Sequence, residues 1–555
     1  MKTLRLIGLL LLPACVPPPP GLVPEPATPP DEVIPGLILG PEVECAVPAD
    51  PSLPGFDDVT AQTGVEHTPV MPEWDEGENG VTSVQLEAAG GFIVADLDGN
   101  GLHDLVFTSF TGAPRFYFGE GDLTFGELDA SDLGIDVAGQ HVNGGSAADY
   151  DGDGDLDLWF GSYDGAYLFE NDGFGRFGPV APQLGIVGGG NQISGSWADP
   201  DRDGDLDLYV AAHSPGSAGP GQAFDNELDY YWVQAADGTF TEATFDLYPD
   251  GVAGQGFVGG WFDGDGDGWI DLYVVNDGGV GGNNPPNRYF ANDGGVLTPH
   301  PQGGADVGML AMGLALGDMD NDGDFDVHVS DAGPTLLLRN EGGHLFTDIS
   351  LELDGLSARP EGDISWGTIF FDHDNDGELE LHTSFGHMPT KAGGGPNNTE
   401  NREQMPDQLW RRVDDGWIDV AQDVGVDDGA WSRTAQAVDL DGDGFVELIT
   451  WSMDEGPKIH KGRCNANAWL EVSLEDSTSR NRFAIGARVV ATGDGTPLVM
   501  REIGAGSTGT MSGGPPVASM GLASAQEVML TVRWPDGVVD VFPDVPTRRR
   551  VTITR

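Results

Sequence analysis

The chain has 555 residues, with 91 acidic side chains against 25 basic ones and a formal charge of −66. A field of that sign repels nucleic acid and anionic lipid and favours solubility or cationic partners. With 85 glycines and 39 prolines the composition suits a turn-dense β protein rather than a helical one, and the length admits more than one domain.

At the N-terminus Lys2 and Arg5 precede an apolar run, Leu6–Leu12, which is too short to cross a bilayer. The segment MKTLRLIGLLLLPAC resembles a bacterial lipoprotein signal whose lipobox is Leu12-Pro13-Ala14-Cys15. That resemblance implies cleavage before Cys15, lipidation of Cys15 and export. Val16 at the next position implies an outer-membrane destination where the host has one, facing outside or the periplasm. An ordinary secretory signal is the alternative. Residues 16–54 are Pro-rich, a composition that stays extended, so they are expected to be a tether.

Seven acidic loops of one design follow: DLDGNGLHD, DYDGDGDLD, DPDRDGDLD, DGDGDGWID, DMDNDGDFD, DHDNDGELE and DLDGDGFVE. Side-chain oxygens fall at positions 1, 3, 5 and 9, and glycine always at 6. The candidate ligands are Asp96, Asp98, Asn100 and Asp104 in loop one, and Asp149, Asp151, Asp153 and Asp157 in loop two. Loop three offers Asp199, Asp201, Asp203 and Asp207, and loop four Asp263, Asp265, Asp267 and Asp271. Loop five offers Asp318, Asp320, Asp322 and Asp326, and loop six Asp372, Asp374, Asp376 and Glu380. Loop seven offers Asp439, Asp441, Asp443 and Glu447. Carboxylates at alternate positions of a tight loop converge, and such a set suits a hard cation that takes six to eight oxygens, so Ca²⁺ is the expected occupant, structural and up to seven per chain. An EF-hand is excluded because it needs a bidentate Glu at position 12, where Phe107, Phe160, Val210, Val274, Val329, Thr383 and Thr450 stand.

The loops recur every 50 to 67 residues, and each lies between a strand rich in small residues, such as NGGSAAD, and an apolar one such as DLYVVN. Third strands read YLFEND, RYFAND and LLLRNE, and weaker fourth strands HLFTDIS and GWIDVAQDVGV. Four strands in each of seven repeats predict an all-β fold, a seven-bladed β-propeller over 55–463, followed by a small β-rich domain over 464–555. Blade seven lacks a fourth strand before the chain leaves it. Residues 55–65, GFDDVTAQTGV, carry that pattern and are expected to supply it, which removes an open edge.

The repeats resemble FG-GAP/VCBS repeats, the type that builds the integrin α propeller with its calcium hairpins. The stretches NAWLEVSL, SRNRFAIGARVV, REIGAGSTG and VRWPDGVVDVF within 467–553 resemble the ASPIC/UnbV domain. The pair is similar to the bacterial branch of the cartilage acidic protein family. GGPPVASMGL stands where that family has an HFGLG-like segment, so no role of its His carries over.

No HExxH, GxSxG, Walker or CxxC motif is present. His213 and His387 read as polar loop residues, and Tyr230-Tyr231-Trp232 as a packed strand. The expected function is a calcium-stabilised cell-surface binding, adhesion or scaffold protein held to the membrane by its lipid alone. It is expected to be monomeric, to bind a surface protein or a glycan, and to bind no nucleic acid. A secreted enzyme acting on polysaccharide from a propeller face is the alternative, and an assembly partner in a membrane complex a third. The ligand face is expected opposite the metal loops, where blades three, four and six have long connections over 211–229, 276–287 and 384–407. With Cys15 lipidated, Cys45 and Cys464 remain in an oxidising compartment, and a bond between them is expected to staple the ring at its seam.

Overall fold

The computed structural model describes residues 33–45, 55–67, 90–109, 112–137, 141–162, 165–213, 229–249, 251, 254–277, 285–352, 364–386, 405–413, 416–508 and 510–555. The signal segment with Cys15, His387 and most of the three long connections lie outside them.

Among the described residues, seven four-stranded antiparallel units follow one another along the chain. Unit two is typical: Val142–Ala148 innermost, then Asp157–Ser162, Gly165–Asn171 and Phe177–Pro179 at the rim. Its two inner strands are buried throughout, and exposed positions appear only toward the rim. Unit seven takes three strands from 432–462 and its fourth from the N-terminal side, where Phe56–Asp58 pairs with Gly456–Gly462. The ring closes where Phe92, Phe107 and Tyr117 of unit one share a core with Trp431, Ile449 and Trp451 of unit seven. Only 56–58 of the expected closing segment is strand, because Thr60–Thr63 turns into a helical turn capped by Gly64. The same turn follows the rim strands of units one, two and six, capped by Gly134, Gly185 and Gly425. Residues 55–65 are therefore the displaced end of unit seven.

Cys45 and Cys464 are disulfide-bonded across 419 residues of sequence, their Cα atoms 5.7 Å apart. The segment expected to be a tether is partly built into the fold. Leu37–Leu39 adds antiparallel to Arg549–Thr554, burying Leu37 and Leu39. Leu37 and Leu39, buried on either side of exposed Ile38, suffice there because the C-terminal domain leaves an edge open to receive them.

The C-terminal domain consists of two sheets, one built on Trp469–Glu475 paired parallel with Arg549–Thr554, the other on Arg488–Thr492 and Glu527–Arg533. Its core is continuous with the ring: Leu470, Val489 and Trp534 belong to one apolar cluster with Trp159, Trp197 and Leu206. A hairpin, Ala505–Thr508 with Ser512–Gly513, enters the ring axis. One arm pairs with Ser196 and Trp197 of unit three and the other with Ile93 of unit one. Ser512 Oγ accepts from Phe92 N at 3.2 Å and from Thr434 Oγ1 at 2.9 Å, so units one and seven meet on it. The small residues of the innermost strands make room for this hairpin. A Cβ on Gly91 would lie 2.0 Å from the Met511 carbonyl oxygen, and one on Gly144 2.8 Å from Met511 Cα.

Met511 is fully buried on that axis. Met511→Ala should cost about 2–5 kcal/mol, and because the two domains share a core they should unfold in one calorimetric transition. Two well-separated transitions would contradict the shared core. Replacing Cys45 and Cys464 together by Ser should lower stability by about 2–5 kcal/mol, and an unchanged denaturation midpoint would remove the staple from the stability account.

Candidate metal centres

Each acidic loop joins the first strand of a unit to the second, and its position-9 residue opens the second strand. The position-6 glycines Gly101, Gly154, Gly204, Gly268, Gly323, Gly377 and Gly444 all have φ between +84° and +104°, which side chains disfavour. Position 4 is left-handed as well, at Gly99, Gly152, Arg202, Gly266, Asn321, Asn375 and Gly442. Arg202 is the exception among Gly and Asn, and its guanidinium stacks 3.7 Å over Trp269 of loop four.

Backbone amides hold the carboxylates inward. In loop two Asp149 accepts from Gly152 N at 2.8 Å, Asp153 N at 3.1 Å and Gly154 N at 3.0 Å, while Asp151 accepts from Asp153 N at 3.2 Å. Asp157 accepts from Tyr150 N at 3.1 Å and, across the sheet, from Asn171 N at 2.8 Å. The position-9 carboxylate thus ties the loop's entry to the third strand. Asp104, Asp271 and Asp326 do the same. In loop three Pro200 has no N–H to give, and the Tyr231 hydroxyl donates to Asp207 at 2.6 Å instead. Tyr231 and Trp232 are buried in the expected strand, Tyr230–Gln234.

Side-chain oxygens of Asp96, Asp98 and Asp104 lie within 4.8 Å of one another, as do those of Asp149, Asp151 and Asp157 and those of Asp199, Asp201 and Asp203. Among the described residues, no cationic side chain is within ion-pair distance of the four ligand positions in loops one, two, three or five. Burial therefore drives these acids up, with neighbouring carboxylates adding to it: Asp104, Asp207 and Asp326 to about 8, Asp149 and Asp199 to about 7, Asp318 to about 6. Asp199 Oδ1 and Asp320 Oδ1 are buried without a hydrogen-bond partner. This donor set, all oxygen and short of positive charge, fits a hard divalent cation.

The other three loops have basic side chains at their ligand positions that the sequence did not announce; Arg488 Nη2 lies 3.3 Å from Asp263 Oδ2 of loop four. In loop four His344, from the rim of unit five, places Nε2 3.0 Å from Asp265 and shares Tyr289 with Asp271. In loop six Arg411 lies 3.4 Å from Asp374 and 3.2 Å from Asp376, and His373 Nδ1 2.6 Å from Glu380. In loop seven Lys461 bonds Asp441 and Asp443. His213 follows the strand Asp207–Ala212 as a loop residue, as expected, and is buried, 3.3 Å from Asp277.

The C-terminal domain sits on the loop face. Residues 464–555 hold nine arginines against nine acids, so the entire net charge lies in residues 1–463. Arg480 pairs with Asp205 at 2.7 Å, Arg482 donates to the Gly152 carbonyl at 2.6 Å, and Arg488 to that of Asp263 at 2.8 Å. Arg550 donates to the Asp439 carbonyl at 3.2 Å, and Ala523 N to that of Asn375 at 2.8 Å.

Family models match this layout, as FG-GAP-like repeat at residues 96–160, 149–210 and 263–329 and as ASPIC and UnbV at 477–555. Family models thus find FG-GAP-like repeats and a C-terminal ASPIC and UnbV domain in this chain. Together with the disulfide, these repeats mark a protein of extracellular or exported type. No helix among the described residues is long and apolar enough to cross a membrane. Among curated proteins none matches significantly. Similar solved structures include an Agrocybe aegerita lectin that recognises non-reducing terminal N-acetylglucosamine, at 16% identity over 60% of this chain and 80% of that one, with TM-score 0.37. Saccharomyces cerevisiae Sqt1 matches at 12% identity over 66% and 83%, with TM-score 0.38. Trypanosoma rangeli sialidase matches at 10% over 67% and 55%, with TM-score 0.32. Likenesses this distant carry no functional information.

The raised carboxyls fix the sign of a pH effect. Protonated acids stabilise the metal-free fold below their ordinary values near 4, and that stability is lost as pH rises through about 6 to 8. In metal-free buffer the Tm should therefore fall between pH 5 and pH 8.5. A chelated protein more stable at pH 8.5 than at pH 5 would contradict the burial of these acids.

Proposed function

We propose that this chain is a lipid-anchored surface binding or scaffold protein whose ring is held in shape by structural Ca²⁺. The observation that carries the calcium reading is the set of buried, convergent carboxylates in loops one, two, three and five that, among the described residues, have no protein cation within ion-pair distance. Side chains at positions 1, 3, 5 and 9 would hold the ion, which would supply the charge these loops lack. A lipid at Cys15 would leave the ring at the membrane surface. The C-terminal domain lies over the metal loops and its hairpin fills the axis. That supports a ligand face on the opposite side, where the second and third strands of each unit connect. A surface protein or a glycan fits such a face.

Each ion at a hundredfold excess over its Kd adds about 2.7 kcal/mol. Millimolar Ca²⁺ should therefore raise the Tm at pH 8 well above its value in metal-free buffer, and Asp320→Ala should release one ion. Equal melting temperatures with and without Ca²⁺ would refute the structural-metal reading. For the surface role, a glycan and envelope-protein panel should give binding without turnover, and turnover of any glycan would favour an enzyme.

A further inference from the structure

Loop seven has the same ligand pattern as the others but a different environment. Lys461, on the strand Gly456–Gly462, directs Nζ into the loop. It bonds Asp441, lies 2.8 Å from Asp443 Oδ2 and is 3.7 Å from Glu447 Oε1. An ammonium group has three donors and no acceptor, and here it faces three carboxylates. The fourth, Asp439, has the Arg550 guanidinium 3.7 Å from its Oδ2. The disulfide also lies against Asp443, with Cys45 Sγ at 3.3 Å and Cys464 Sγ at 3.8 Å from Oδ2.

Strand register shows that this is a feature of one position rather than of a long side chain folding onto the nearest acid. The pairing of Leu448 with His460 places Lys461 one residue beyond the paired position. The corresponding residues are Phe118, Glu170, Val233 and Ala291 in units one to four. They are Arg339 and Arg411 in units five and six. Arg339 turns away to Glu341, and Arg411 reaches only Asp374 and Asp376. Among the described residues, only in unit seven does one cation lie within 4 Å of ligands at positions 3, 5 and 9 together.

We propose that Lys461 is the resident cation of the seventh loop and replaces a divalent ion there, so that the seam unit keeps its shape without metal. Loop seven lies where the ring is closed by two distant pieces of chain, and a covalently attached cation cannot be lost from that seam by dilution or chelation. The proposal rests on the calcium reading of the other loops for its contrast.

The test is to count ions on the intact, disulfide-bonded protein by native mass spectrometry in saturating Ca²⁺, for wild type, Lys461→Met and Asp441→Asn. Lys461→Met should hold one ion more than wild type, and Asp441→Asn the same number as wild type. Provided wild type binds ions, equal counts in wild type and Lys461→Met, or one ion fewer in Asp441→Asn, would overturn the proposal. Melting in metal-free buffer separates this outcome from failure of the calcium reading. Lys461→Met should melt several degrees below wild type there, and Ca²⁺ should raise its Tm more than it raises that of wild type. If no variant takes up any ion, the calcium reading falls. The role of Lys461 as built-in counter-ion then stands on that metal-free decrease and is overturned by its absence.

Discussion

Everything in this ring depends on bringing like charges together at the head of each blade and then compensating them. A carboxylate buried beside two others is costly because its field is no longer screened by water. The loops accept that cost because the same carboxylates organise the backbone. Position 1 gathers the amides of the tight turn, and in loops one, two, four and five position 9 binds both the loop's entry and the third strand. Removing the acids would leave buried N–H groups unpaired, so the design calls for a counter-charge rather than fewer charges.

That counter-charge comes from different sources around the ring. Loops one, two, three and five meet no protein cation at their ligand positions among the described residues, whereas loops four, six and seven have Arg488, Arg411 and Lys461 within ion-pair distance. Arginines of the C-terminal domain add a further layer from above. A net-neutral domain can dock on a highly acidic ring because its guanidinium groups are directed toward the loops and many bind carbonyls, which the carboxylates do not compete for.

The C-terminal domain is also a structural part of the ring. Its hairpin fills the axis, contacts units one, three and seven through hydrogen bonds, and places Met511 against glycines of units one and two. Its outer sheet takes a strand from the N-terminal segment, and the disulfide joins that segment to the seam. Residues 33–45 and the C-terminal strand Arg549–Thr554 therefore both converge on unit seven. This explains how a ring with a displaced fourth strand avoids an open edge.

The sequence by itself determined the local chemistry. The recurrent acidic loops, the strands on either side and the fourth-strand pattern of 55–65 are short-range signals, each set by residues within about ten positions of one another, and the repeat of the loops every 50 to 67 residues announced the ring. Cys45 and Cys464 were legible as a pair because few thiols were present, and the closure model placed both at one rim. Only the tertiary structure decided which loops meet a cation, since Arg488, Arg411 and Lys461 reach their acids from other strands. It also decided that Leu37–Leu39 joins a sheet and that the small inner residues accommodate a hairpin from the far end of the chain. Those outcomes depend on contacts between segments hundreds of residues apart, where burial and charge are set by neighbours that no local pattern encodes.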